Sequence, residues 1–94
     1  GDFNWGDIGT WAALTDVLPA DDKDNLLSGS IVAIDARNVT AFGMKEKLIA
    51  LIGVDDLVVV DTADALLVCR KDQAQRVKEV LELIHNTKDY SRFT

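Results

Sequence analysis

Residues Ile31–Val60 read IVAIDARNVTAFGMKEKLIALIGVDDLVVV, and the fold turns on how this stretch is divided. Laid over itself at an offset of 18 residues, it aligns Ile31 with Ile49, Ala33 with Leu51 and Ile34 with Ile52. Val39 falls on Leu57 and Phe42 on Val60. Carried further, the offset places Leu48 on Leu66, Leu67 on Ile49 and Cys69 on Leu51. Short apolar runs that recur at a fixed spacing suggest stacked coils, in which the inward side chains of one turn lie over those of the next. A meander of hairpins produces similar runs, and the hexapeptide signature of the familiar β-helices is absent or degraded. The pattern alone leaves both architectures open.

Composition predicts strands at Ser30–Asp35, Asn38–Phe42, Lys47–Ile52, Leu57–Asp61 and Ala65–Cys69. Each run is short and rich in β-branched residues. The breaks between them, such as Asp35-Ala36-Arg37-Asn38 and Gly53-Val54-Asp55-Asp56, carry turn residues.

Helical spacing appears on either side. Thr10–Leu18 reads as a short helix capped by Thr10, with Trp11, Leu14 and Leu18 on one face and Pro19 as its stop. Asp21–Asn25 is a polar loop. It lacks the glycine and the closing glutamate of a calcium loop, so it reads as solvated. Asp72–Asn86 predicts a second helix. Asp72 and Gln75 would form a capping box, and Ala74, Val77, Val80, Leu81 and Ile84 an apolar stripe. The tail Thr87–Thr94 is polar, apart from Tyr90 and Phe93.

The chain has 94 residues, enough for one small domain, and 48% of them are hydrophobic, which suits a globular core. Its net charge of −6 and scattered basic residues argue against nucleic acid and against an anionic membrane surface. No apolar run reaches the roughly 20 residues of a membrane span. No signal peptide is evident. The single cysteine, Cys69, allows no intrachain disulfide and suits a reducing cytoplasm. A first residue of Gly rather than Met suggests a fragment.

The remaining chemistry concentrates in Asn4–Trp11, NWGDIGTW. Flanking glycines let the backbone approach a ligand closely, and two indoles can hold a carboxylate rigid. Asp7 could meet a hard cation such as Mg²⁺ or a sugar hydroxyl. Equally, it could make only turn hydrogen bonds in a loop anchored by tryptophan. Other groups are weaker. Asp55-Asp56 and Asp61 with Asp64 fit strand corners. Cys69 fits a small core residue. His85 alone makes no metal site, and no triad forms with Ser28 or Ser30.

Two stretches carry a resemblance. FNWGDIGTWAAL, Phe3–Leu14, resembles the segment that closes the catalytic domain of sugar-nucleotide pyrophosphorylases. GVDDLVVVDTADALLVCRKDQAQRVKEV, Gly53–Val80, is similar to the C-terminal stretch of the guanylyl branch, the mannose-1-phosphate guanylyltransferases. The resemblance implies a reaction of GTP with mannose 1-phosphate, giving GDP-mannose and pyrophosphate with Mg²⁺. It implies that Asp7 is one of two metal carboxylates, the other lying upstream of this chain. Gly9 would then border the sugar phosphate, and Trp5 and Trp11 would pack the loop.

No Gly-rich phosphate loop matches, so the expectation is a C-terminal piece, inactive alone, whose catalytic domain is missing. The family's C-terminal region implies a mainly β fold with flanking helices. This is a short left-handed parallel β-helix, capped by a C-terminal α-helix, that packs on the catalytic domain and contributes to a homodimer. The expected division is 1–27 as the catalytic-domain tail, 28–71 as coils, and 72–94 as helix and tail. Two alternatives stand beside it: an independent regulatory domain that binds a sugar phosphate or nucleotide, and a plain interaction domain.

Overall fold

The computed structural model describes residues 21–63 and 65–90. Six strands come first: β1 (Leu26–Ser28), β2 (Ile31–Ile34), β3 (Thr40–Phe42), β4 (Ile49–Ile52), β5 (Leu57–Asp61) and β6 (Leu66–Arg70). A 3-10 helix, Lys71–Arg76, then leads into α1, Val77–Asn86.

The chain winds between two sheets. One has the strand order β1-β3-β5-β6, the other β2-β4. Ile31 pairs with Ile49, Ala33 with Leu51 and Ile34 with Ile52, all in parallel. Thr40 pairs with Val58 and Phe42 with Val60, also in parallel. Arg37 and Asp55 form an isolated parallel bridge in the same register. The 18-residue repeat is therefore a physical stack, and the hairpin meander is excluded for residues 26–60. The first coil is shorter, with Leu26 against Thr40. Its strand β1 was not among the runs singled out by composition.

The corners explain how so short a chain can coil. Asp24, Asn38 and Asp56 all have positive φ, at 63°, 52° and 58°. They occupy one corner in successive coils, and the second and third each donate a hydrogen bond to the coil before. The Asn38 N–H donates to the Lys23 carbonyl and the Asp56 N–H to the Arg37 carbonyl, each at 3.0 Å. At a second corner Asp35 (φ 54°) lies over Gly53 (φ 63°). Asn and Asp enter the left-handed region at lower cost than other residues with a side chain, which is why they recur at these positions.

The stacking stops after β5. β6 runs antiparallel to it, pairing Val60 with Leu67 and Val58 with Cys69. The expected third repeat, with Leu67 over Ile49, Cys69 over Leu51 and Leu66 beneath Leu48, is thus corrected. The link from β5 to β6 is too short to carry the chain around a coil. Instead the Thr62 N–H donates to the Ala65 carbonyl at 2.9 Å, and the Thr62 hydroxyl accepts the Ala65 N–H at 3.1 Å. A tight hairpin results.

Two apolar layers follow. Between the sheets lie Ala36, Val39, Ala41, Leu51 and Val59. On the other face of the larger sheet, Val58, Val60 and Leu67 pack against Ala74 and Val77, joined by Val80, Leu81 and Ile84. The predicted helical stripe is the side that docks. β5 serves both layers, and Val58, Val59 and Val60 are all buried, as expected of a strand covered on both faces.

The capping box does not form. The Asp72 carboxylate accepts the Arg70 guanidinium at 2.9 Å, and no side chain caps the 3-10 helix. The Lys71 N–H, which would otherwise be left over at the helix start, already donates to the Asp56 carbonyl at 2.7 Å. The chain therefore leaves the β5–β6 ladder directly into a 3-10 turn, and α-helical geometry begins only at Val77.

Thr40 is fully buried, and among the described residues its hydroxyl has no hydrogen-bond partner. A buried unpaired hydroxyl costs roughly 1–3 kcal/mol. Thr40→Val keeps the branched shape and should raise stability by about 1 kcal/mol. Urea unfolding should show a higher midpoint at unchanged slope.

Candidate functional site

Trp5, Asp7, Gly9 and Trp11, the residues carrying the sequence-based site, lie outside the described residues, as do the predicted helix Thr10–Leu18 and Phe93. No group of three or more His, Cys, Asp or Glu side chains among the described residues could hold a metal ion.

Of the corner carboxylates singled out by sequence, Asp56 and Asp61 have structural partners, and Asp64 lies outside the described residues. Asp56 Oδ1 accepts the Asn38 side-chain amide at 2.7 Å, and Asn38 Oδ1 accepts Lys71 Nζ at 2.7 Å. This ladder ties two coils to the start of the 3-10 helix. Asp21 closes the other end of the stack. Its Oδ1 accepts the backbone N–H groups of Asn25 and Lys23, each at 2.8 Å. Those bonds, the Asn25 one foremost, hold its carboxyl below the usual range. The polar loop Asp21–Asn25 is therefore a coil-ending turn. Burial pushes the Cys69 thiol up, so it is a poor nucleophile and packs as a small apolar group. His85 lies in the last turn of α1, where a positive charge interacts favourably with the helix dipole.

Composition gave no signal for Asn25. It is buried, donates from Nδ2 to the Ala36 carbonyl at 2.8 Å and accepts the Val39 N–H on Oδ1 at 3.0 Å. By register it stands over Val39 and Leu57 in the coil interior, and it ends the apolar column with a side chain that satisfies buried backbone groups.

An open apolar surface lies at the opposite end. The larger sheet continues through β5 and β6, whereas the smaller one stops at β4. Among the described residues the inward face of the hairpin therefore has no strand beneath it. A groove of about 610 Å³ remains, lined by Leu48, Ile49, Leu51, Val59, Leu66 and Val68 among others. At its rim Lys47 Nζ meets Asp61 Oδ1 at 3.2 Å, with the Asp61 side chain almost wholly buried. An apolar trough with one ion pair at its rim is suited to a hydrophobic partner surface. The runs that hold β4 and β6 were legible in sequence as short strands. That the second sheet ends two strands early was not.

The family model of the MannoseP isomerase/GMP-like beta-helix domain matches residues 29–84, more than half of the chain. The chain belongs to that β-helix family. Its coils match a solved structure described as mannose-1-phosphate geranyltransferase from Thermus thermophilus, with a TM-score of 0.70 and 32% identity over 80% of this chain and 23% of that one. The xanthan biosynthesis protein XanB of Xanthomonas campestris pv. campestris (strain B100) is 41% identical over 83 residues, covering 88% of this chain and 17% of that protein. A mannose-1-phosphate guanylyltransferase of Klebsiella pneumoniae shows the same identity and coverage. The alginate biosynthesis protein AlgA of Pseudomonas aeruginosa is 37% identical over 78 residues, covering 83% of this chain and 16% of that protein. This β-helix domain thus spans about a sixth of the length of these curated relatives.

Proposed function

We propose that this β-helix domain is the rear portion of a mannose-1-phosphate guanylyltransferase, and that it serves as a packing and self-association module for a nucleotidyltransferase domain beyond these residues. The observation that carries the reading is the family match over residues 29–84, together with relatives of which the chain spans only about 17%. The apolar groove at the end of the stack supports a scaffold role.

In this reading the whole enzyme joins GTP to mannose 1-phosphate and releases pyrophosphate. Asp7 belongs to the catalytic half, as one of two carboxylates toward Mg²⁺, with Gly9 beside the sugar phosphate and Trp5 and Trp11 bracing the loop. The described residues do not themselves fit a Mg²⁺ site, so no chemical step is assigned to them. Their work is to hold the parent domain and a second subunit. A cytoplasmic location suits soluble nucleotide and sugar-phosphate substrates. No helix among the described residues is long and apolar enough to cross a membrane.

The test is a pyrophosphate-release assay with GTP, Mg²⁺ and mannose 1-phosphate. The 94-residue chain should give no turnover above buffer, whereas the parent protein should turn over. In the parent, Asp7→Asn should lower kcat by about a hundredfold or more, the scale of losing one electrostatic contact to a reacting phosphate. Sustained turnover by the isolated chain would refute the proposal.

A further inference from the structure

We propose that β6 is a self-complementary edge through which two copies of this chain pair, antiparallel and centred on Val68. The inference rests on the reading of this portion as a self-association module and names the strand and register that carry it.

The hydrogen-bond phase of the hairpin decides which backbone groups are free. At one end of the β5–β6 ladder the Thr62 N–H donates to the Ala65 carbonyl, and at the other the Lys71 N–H donates to the Asp56 carbonyl. In an antiparallel ladder every second pair exchanges bonds. Both end pairs are in phase with Val60–Leu67 and Val58–Cys69, so those pairs bond within the chain. Leu66, Val68 and Arg70 therefore turn their N–H and C=O groups away from β5. Among the described residues β6 is the last strand of its sheet.

Free groups at Leu66, Val68 and Arg70 are symmetric about Val68. A two-fold axis there sets Val68 against Val68 of the second copy, and Leu66 against Arg70 of the second copy. Every outward donor then meets an acceptor. An interface built on such an axis uses the same patch twice, and this patch matches itself. The register places no like charges opposite one another within the strand, and the aliphatic stem of Arg70 can cover Leu66.

The side chains beside the edge point the same way. Leu66 is 59% exposed and Val68 56% exposed on the groove face. On the opposite face a hollow of about 290 Å³ between β6 and α1 is lined by Val68, Cys69, Val80 and Leu83 among others, and Leu83 is 68% exposed. Apolar surface thus flanks the free edge on both sides, and Leu83 would approach its counterpart across the axis. The strand has no proline and no bulge, two devices that usually keep an edge from pairing, and its one charge, Arg70, sits at its end.

The test combines sedimentation velocity with residue-resolved amide exchange on the 94-residue chain, over an approximately hundredfold range of concentration. We expect a dimer whose formation slows exchange at Leu66, Val68 and Arg70 but not at Ala50 or Ile52. Val68→Lys should weaken the dimer at least tenfold, whereas Ile34→Lys, on the exposed face of β2, should leave it unchanged. A dimer in which the three β6 amides still exchange freely would overturn the strand pairing and leave the module reading standing. A chain that stays monomeric throughout would overturn both.

Discussion

Gly29→Ala is expected to destabilise the chain by about 3 kcal/mol or more, a large share of what holds a domain this small. Gly29 has φ +106°, a region that residues with a side chain rarely enter. A Cβ placed there would stand 2.6 Å from both the carbonyl carbon and the oxygen of Gly43. Gly43 lies in the next coil, and the contact is backbone against backbone, so no side chain can swing aside. The Gly43 N–H also donates to the Ser28 carbonyl at 2.7 Å, which locks the two coils at this separation. Relief of the clash would have to come from breaking that bond or tilting a coil. The control is Gly53→Ala. Its φ is +63°, nothing lies within 4 Å of the added Cβ, and Asp35 holds the same conformation one coil earlier. The cost there should be about 1 kcal/mol. Thermal unfolding separates the two, since 1 kcal/mol corresponds to roughly 4–8 °C in a chain of this size. Equal shifts for both substitutions would show that coil contact at Gly29 is not the constraint.

Asn25→Ala should cost about 3 kcal/mol by a different route. It removes two buried hydrogen bonds, to the Ala36 carbonyl and from the Val39 N–H. Val39 is fully buried, so water cannot readily replace the lost partner. Asn25→Val probes the origin of the loss. Valine restores apolar volume over Val39 but leaves both backbone groups unpaired, so it should recover only the part due to the cavity, about 1 kcal/mol. Urea titration of the three proteins gives the comparison. Full recovery by valine would mean that Asn25 acts through shape and not through its amide.

These two positions also mark where reading the sequence reaches its limit. The 18-residue offset was legible because inward side chains in a parallel stack recur in phase, and the structure pairs Ile31 with Ile49 and Val39's neighbour Thr40 with Val58 as that offset requires. The helical stripe from Ala74 to Ile84 was legible for the same reason, with a period of 3.6 in place of a coil length. β1 was missed because it has three residues and a coil of different length. The reversal at β6 was missed because Leu67 and Cys69 keep the apolar spacing that a further coil would also need. Direction is set by the Thr62–Ala65 turn, not by hydrophobicity. The capping box matched by residue type but did not form, because the Asp72 carboxylate pairs with the Arg70 guanidinium and the segment opens as a 3-10 helix.

The amino-acid sequence by itself determined the repeat length, the corner residues and the buried side of α1, because each follows from local periodicity or from the φ values that Asp, Asn and Gly tolerate. Only the tertiary structure decided that the stack ends after β5, that Asn25 closes one end of it, and that β6 leaves Leu66, Val68 and Arg70 facing outward. Those outcomes depend on which backbone groups find partners across the chain. Such pairing is a property of strands brought side by side, and no single strand's residues carry it.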